Sequence, residues 1–101
     1  MAALKPSRRE IRIFRSVLRK AEGMGLVVPE VRLKVVARLK GAHAHAIGND
    51  ITVERSSFST EVVCHEVAHV LAGQLVMDEA AAHNRFWSLI YGLLYQACIQ
   101  K

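Results

Sequence analysis

Residues 59–73 read Ser59-Thr60-Glu61-Val62-Val63-Cys64-His65-Glu66-Val67-Ala68-His69-Val70-Leu71-Ala72-Gly73. Three features make this stretch a helix. Ser57, Ser59 and Thr60 offer N-cap oxygens, and Glu61 stands where a carboxylate favours the positive end of a helix dipole. Val63, Val67, Val70 and Leu71 recur at helical spacing. Gly73 then ends the pattern.

Working outward, the residues before this helix alternate with a period of two. Ile51 and Val53 alternate with Thr52 and Glu54, after the turn signal Gly48-Asn49-Asp50. Residues 42–47 form a second short strand, and the two strands make a hairpin. Val31, Leu33 and Val35 alternate with Arg32 and Lys34, a strand with one wet face. Further back, Ser7 and Glu10 have the spacing of a capping box. Ile11, Phe14 and Leu18 give that helix an apolar stripe, and Gly23 and Gly25 stop it. On the C-terminal side, Asp78 caps a last helix running towards Gln100, with Phe86, Ile90, Leu93 and Ala97 as its buried stripe. The order is helix, three strands, two helices. The fold class is α+β in one domain over 1–101, with a small three-stranded sheet.

Composition agrees with a single globular domain: 101 residues, 51% hydrophobic and 23% charged. That balance excludes wholesale disorder. No apolar run approaches the roughly 20 residues of a membrane span. No secretory signal pattern follows the basic N-terminus, which points to the cytoplasm. Cys64 and Cys98 form no CxxC pair, so a cysteine-rich zinc knuckle is excluded. Charge is uneven. Residues 1–40 carry 11 Lys/Arg and 3 Asp/Glu, whereas the remainder carries 3 and 6. Arg8, Arg9, Arg12, Arg15 and Arg19 cluster on the first helix. Such a basic part is a candidate contact for DNA or another polyanion.

His65-Glu66-Val67-Ala68-His69 is an H-E-x-x-H motif within the helix. Residues i and i+4 share a helical face, so both imidazoles can reach one tetrahedral zinc ion. Glu66, beside the first histidine, can take a proton from a bound water and pass it to a leaving amine. The expected activity is zinc-dependent peptide-bond hydrolysis. The alternative is a regulatory or nucleic-acid-associated zinc module with latent activity. A third zinc ligand is required. His83 and Glu79 are the candidates, one turn apart on the next helix, with Phe86 and Trp87 placed to anchor that helix just past His83. The metzincin extension fails, because its glycine and third histidine would fall at Ala72 and Leu75.

The stretch from Glu61 to Leu93 resembles the minimal zincin peptidases, above all the SprT-like group. There, H-E-x-x-H is followed by a short link and a histidine with an aromatic residue close behind. Here that part reads His83-Asn84-Arg85-Phe86-Trp87, with Asn84 where the group usually has glycine. The resemblance implies a zincin-like fold, zinc bound by His65, His69 and His83, catalysis by Glu66, and an association with nucleic acid. Minimal gluzincins, which use glutamate as third ligand, are the nearest alternative and imply Glu79. Residues 46–53 resemble the hairpin that such domains place before the active helix. An extended substrate would pair with that edge strand. His43 and His45 would share one face of it, and the small alanines at 42, 44 and 46 would let a peptide approach closely.

Overall fold

The computed structural model describes residues 3–73 and 85–100. Its elements are β1 (Ala3–Leu4), α1 (Arg8–Gly23), β2 (Arg32–Val36), β3 (Ala44–Ile47), β4 (Asp50–Glu54), a single 3-10 turn (Arg55–Ser57), α2 (Thr60–Gly73) and α3 (Arg85–Cys98). The α+β class is as expected. The strand count is corrected: among the described residues the sheet has four strands, in the order β1-β2-β4-β3. The extra strand pairs antiparallel with β2, Ala3 opposite Val36 and Leu4 opposite Val35. Two residues carry no readable alternation, so only this tertiary pairing defines them as a strand.

β3 and β4 form the expected hairpin, with Ile47 opposite Asp50. Gly48 stands at φ 60°, and among the described residues no non-glycine residue has positive φ. A positive φ at the first of the two loop residues alone is the pattern of a type II′ turn, which suits the twist of paired strands. β4 then lies parallel to β2, Val35 opposite Val53 and Lys34 opposite Thr52. Val35, Ile51 and Val53 are fully buried on the side that meets the helices, with Ala44 and Ala46 packed on the same core. His45 is paired with Thr52 and so stands on the other face of the sheet. His43 lies two residues before it, just ahead of β3, its carbonyl accepting from the Glu54 N–H. The two histidines therefore do share a face. Of the three alanines, Ala42 is exposed, whereas Ala44 and Ala46 pack against the core. The small side chains of the latter two point into the core, where they let α2 pack close against the edge strand.

α1 starts with the expected capping box: Ser7 Oγ accepts from the Glu10 N–H at 3.1 Å, and Glu10 Oε1 accepts from the Ser7 N–H at 2.7 Å. Its buried face is Glu10, Phe14, Val17 and Ala21. Ile11 and Leu18 are only partly covered. Glu10 has a second duty. Arg55, in the turn leading into α2, donates Nε to Glu10 Oε2 at 3.1 Å and a terminal nitrogen to Oε1 at 2.9 Å. Arg55 also donates to the Lys5 carbonyl at 2.7 Å. One carboxylate thus ties the start of α1 to the entry of α2.

The Arg55 guanidinium, aided by Ser7, holds the Glu10 carboxyl below its ordinary 4.5 against the opposing effect of burial. Its stabilising contribution is therefore fully present above that unfolded value and is lost as pH falls through the lower folded value. Arg55→Ala leaves a buried carboxylate short of its charged donors, which costs about 2 kcal/mol. In thermal unfolding at pH 7 the melting temperature should drop by about 10 °C. The gap to wild type should close in acid, and a gap that persists unchanged below pH 3 would deny the pair its role.

α3 corrects the expected stripe. Ile90 is buried as expected and Leu94 is fully buried, but Phe86 and Leu93 are each 38% exposed. The inward side is instead completed by Trp87, Tyr91 and Cys98, packed on the core. The face is turned because the rings of Trp87 and Tyr91 cover α2. Asp78, the expected cap, lies outside the described residues. Among the described residues no helix is long and apolar enough to cross a membrane.

Candidate metal centre

α2 is capped by Ser59, whose hydroxyl accepts from the Val62 N–H at 3.1 Å while its carbonyl accepts from the Val63 N–H. Of the three candidate caps it is this one that closes the helix start. Ser57 instead lies 3.1 Å from His43 Nδ1. Val63, Cys64, Glu66, Val67, Ala68, Val70, Leu71 and Ala72 of this helix are buried. Glu61, His65 and His69 remain on its more open side. Local sequence sets this directly: apolar side chains fill the core face, and the two histidines recur one turn apart on what is left.

The two imidazoles converge. Nε2 of His65 and Nε2 of His69 are 3.2 Å apart. Two nitrogens bound to one tetrahedral zinc at 2.0–2.1 Å stand about 3.3–3.4 Å from each other. The spacing fits a shared ion, and the donor chemistry fits too, since neutral imidazole is a zinc ligand. Glu66 Oε2 is 3.9 Å from His65 Nε2. Glu66 is only 6% exposed, and burial pushes its carboxyl up to about 7. Cys64, the preceding residue, is fully buried. Its thiol is pushed up to about 12, by burial first and then by the neighbouring Cys98 thiol. It behaves as a small apolar residue of the core.

α3 covers the histidine pair from one side. The Trp87 ring is stacked on the His69 ring at 5.3 Å and 25°, and meets the His65 ring edge-on at 5.0 Å and 67°. Its indole N–H donates to the His65 carbonyl at 3.3 Å. Tyr91 extends the array. It stacks on Trp87 at 5.1 Å and 12°, and its hydroxyl donates to Glu61 at 3.4 Å. The expected anchoring pair is therefore half right, with Trp87 on the histidines and Phe86 at the surface. Sequence reading missed the Trp87 contact with both rings. The available signal was the repeat of Trp87, Tyr91 and Tyr95 at i, i+4 and i+8, one face of a helix.

Comparisons with protein-family models, with curated proteins and with solved structures give no match.

The expected third ligands, His83 and Glu79, lie outside the described residues. Among the described residues no group of three His, Cys, Asp or Glu side chains is gathered as a metal site. His43 and His45 are on the open sheet face, away from the histidine pair. His43 Nδ1 is 3.6 Å from Glu54, while the buried Nδ1 of His45 has no hydrogen-bond partner, for which the structure offers no physical reason. A cleft of about 460 Å³ lies against residues 37–40, Glu54 and Ser56. It contains none of the H-E-x-x-H residues.

Proposed function

We propose that this protein is a zinc-dependent peptidase of the zincin type, related in design to the SprT-like or minimal gluzincin groups. The observation that carries this reading is the convergence of His65 and His69, 3.2 Å between their Nε2 atoms, with the Glu66 carboxylate 3.9 Å from the first of them. His65 and His69 would hold the ion, together with His83 or Glu79. Bound there, zinc would supply a lowered pKa for a water and polarisation of a carbonyl. Glu66 would take a proton from the attacking water and deliver it to the leaving nitrogen. β3 is an edge strand packed next to α2. Its outer backbone groups, without a partner strand among the described residues, would bind an extended substrate by adding a strand to the sheet.

The testing experiment is metal analysis of the purified chain beside hydrolysis of an unfolded protein substrate. One zinc per chain with chelator-sensitive cleavage is expected, and a chain that takes up no zinc would remove the reading. The same measurement decides the third ligand. His83→Ala should lose zinc far more than Glu79→Ala, because a histidine there completes a three-histidine set with an aromatic anchor just beyond it. The reverse order would move the site to the gluzincin type.

A second reading, a nucleic-acid-associated module, is favoured by one surface. Arg8, Arg12, Arg15 and Arg19 recur at i, i+4, i+7 and i+11 and all are exposed. This row faces away from buried Phe14, Val17 and Ala21. Among the described residues none of the four has a carboxylate partner. The row is about 16 Å long, and no aromatic residue on it could stack on a base, so contacts would go to phosphates. Duplex DNA binding should then weaken with salt at a log–log slope of about −4, and Arg12→Glu with Arg15→Glu should reduce that slope by about 2. Absence of binding at 50 mM salt would leave the row as a solvated helix face.

A further inference from the structure

Two histidines one helical turn apart do not converge by spacing alone. Each ring turns about two torsions, and the His65 side chain is 36% exposed, so solvent leaves room for other rotamers. Both rings must point their Nε2 atoms at one place before an ion can bridge them. The rings meet each other, 3.2 Å between their Nε2 atoms, and Tyr91 meets the His65 ring edge-on at 5.7 Å; Trp87 bears on both rings and favours that pair of rotamers in three ways. The indole lies flat along the His69 ring, at 25°. Its edge-on contact fixes the plane of the His65 ring, at 67°. Its N–H is bonded to the His65 carbonyl, the group that accepts the His69 N–H within α2. A carbonyl oxygen has two lone pairs, so the indole grips the same turn that spaces the two ligands without breaking it.

We propose that Trp87 is a positioning residue that holds His65 and His69 in the converged arrangement before metal arrives. This rests on the metal reading above. Trp87 itself ligates nothing. Its effect is on how much ordering remains to be done when the ion binds. Groups that orient metal ligands characteristically change affinity by about 10–100-fold when removed. Trp87→Leu removes both ring contacts and the donor, and should raise the zinc dissociation constant by about that range. Trp87→Phe keeps an aromatic face but has no N–H, and should fall between Leu and wild type.

The test has a metal-free arm, a zinc arm and an arm that needs no variant. In the metal-free protein, the ring protons of His65 and His69 should be displaced in the NMR spectrum by the indole ring current, and Trp87→Leu should return them towards free imidazole positions. Zinc affinity is then measured by chelator competition on folded wild type and variants. Trp87 is the only tryptophan in the chain, so tryptophan emission reports this position alone. Cobalt(II) added to wild type should quench that emission one-to-one, in step with the growth of the visible cobalt band. Zinc affinity unchanged in folded Trp87→Leu overturns the positioning role while the metal reading stands. So do histidine protons indifferent to Trp87, or emission indifferent to bound cobalt. Displaced histidine protons in a wild-type chain that takes up no zinc would overturn the positioning role and the metal reading together.

Discussion

Glu66→Gln should keep one zinc per chain and lose peptide hydrolysis by about two to four orders of magnitude, the span that general acid–base catalysis commonly supplies. The substitution preserves shape and hydrogen-bonding reach, but an amide cannot accept the water proton. Glu66 is buried with its Oε2 3.9 Å from His65 Nε2, beyond hydrogen-bond reach, so exchanging carboxylate for amide should not shift the His65–His69 pair. Burial already disfavours its ionised form, and a neutral amide is cheaper to bury than a carboxylate. The variant should therefore melt no lower than wild type. This combination separates three roles. Loss of activity with zinc and stability intact assigns Glu66 as the base. Loss of zinc along with activity would make it a ligand. Undiminished turnover would remove it from the chemistry.

Much of this was legible because the signals are local. The Ser7–Glu10 box, the hairpin around Gly48 and the shared helical face of His65 and His69 are each decided within a few residues, and the chain folds there as its pattern dictates. β1 was not legible, because two residues become a strand only by pairing with Val35 and Val36. The parallel placement of β4 beside β2 skips over β3 and has no local marker either. α3 was misread for a different reason. Counting Phe86 and Leu93 as core assumes that the most apolar side chains turn inward. Here the rings that turn inward are Trp87 and Tyr91, which are amphipathic and find polar partners on α2 as well as apolar area. The same fact hid Trp87 as a neighbour of both histidines, since that contact joins residues 18 and 22 positions apart through helix packing. The third ligand is of this kind too: sequence offers His83 and Glu79, and only the packing of residues 74–84 can choose between them.

His69→Ala, like His65→Ala, should abolish stoichiometric zinc. Structural zinc sites bind with roughly 10–16 kcal/mol spread over four ligands, so one lost ligand corresponds to about two to three orders of magnitude in affinity. A centre with only three protein ligands has less to spare. The two histidines act on one ion, so their effects should not add. Once either is gone, removing the other should cost little more. That non-additivity is a stronger sign of a shared ion than either single loss, since two unrelated surface sites would give independent decrements. His45→Ala provides the control. His45 is also a histidine with a buried ring nitrogen, but it stands on the opposite face of the sheet from α2 and should leave zinc content unchanged. If His69→Ala keeps a tight zinc while His45→Ala loses it, the metal belongs to the open sheet face, and the convergence of His65 and His69 is helix geometry without a ligand.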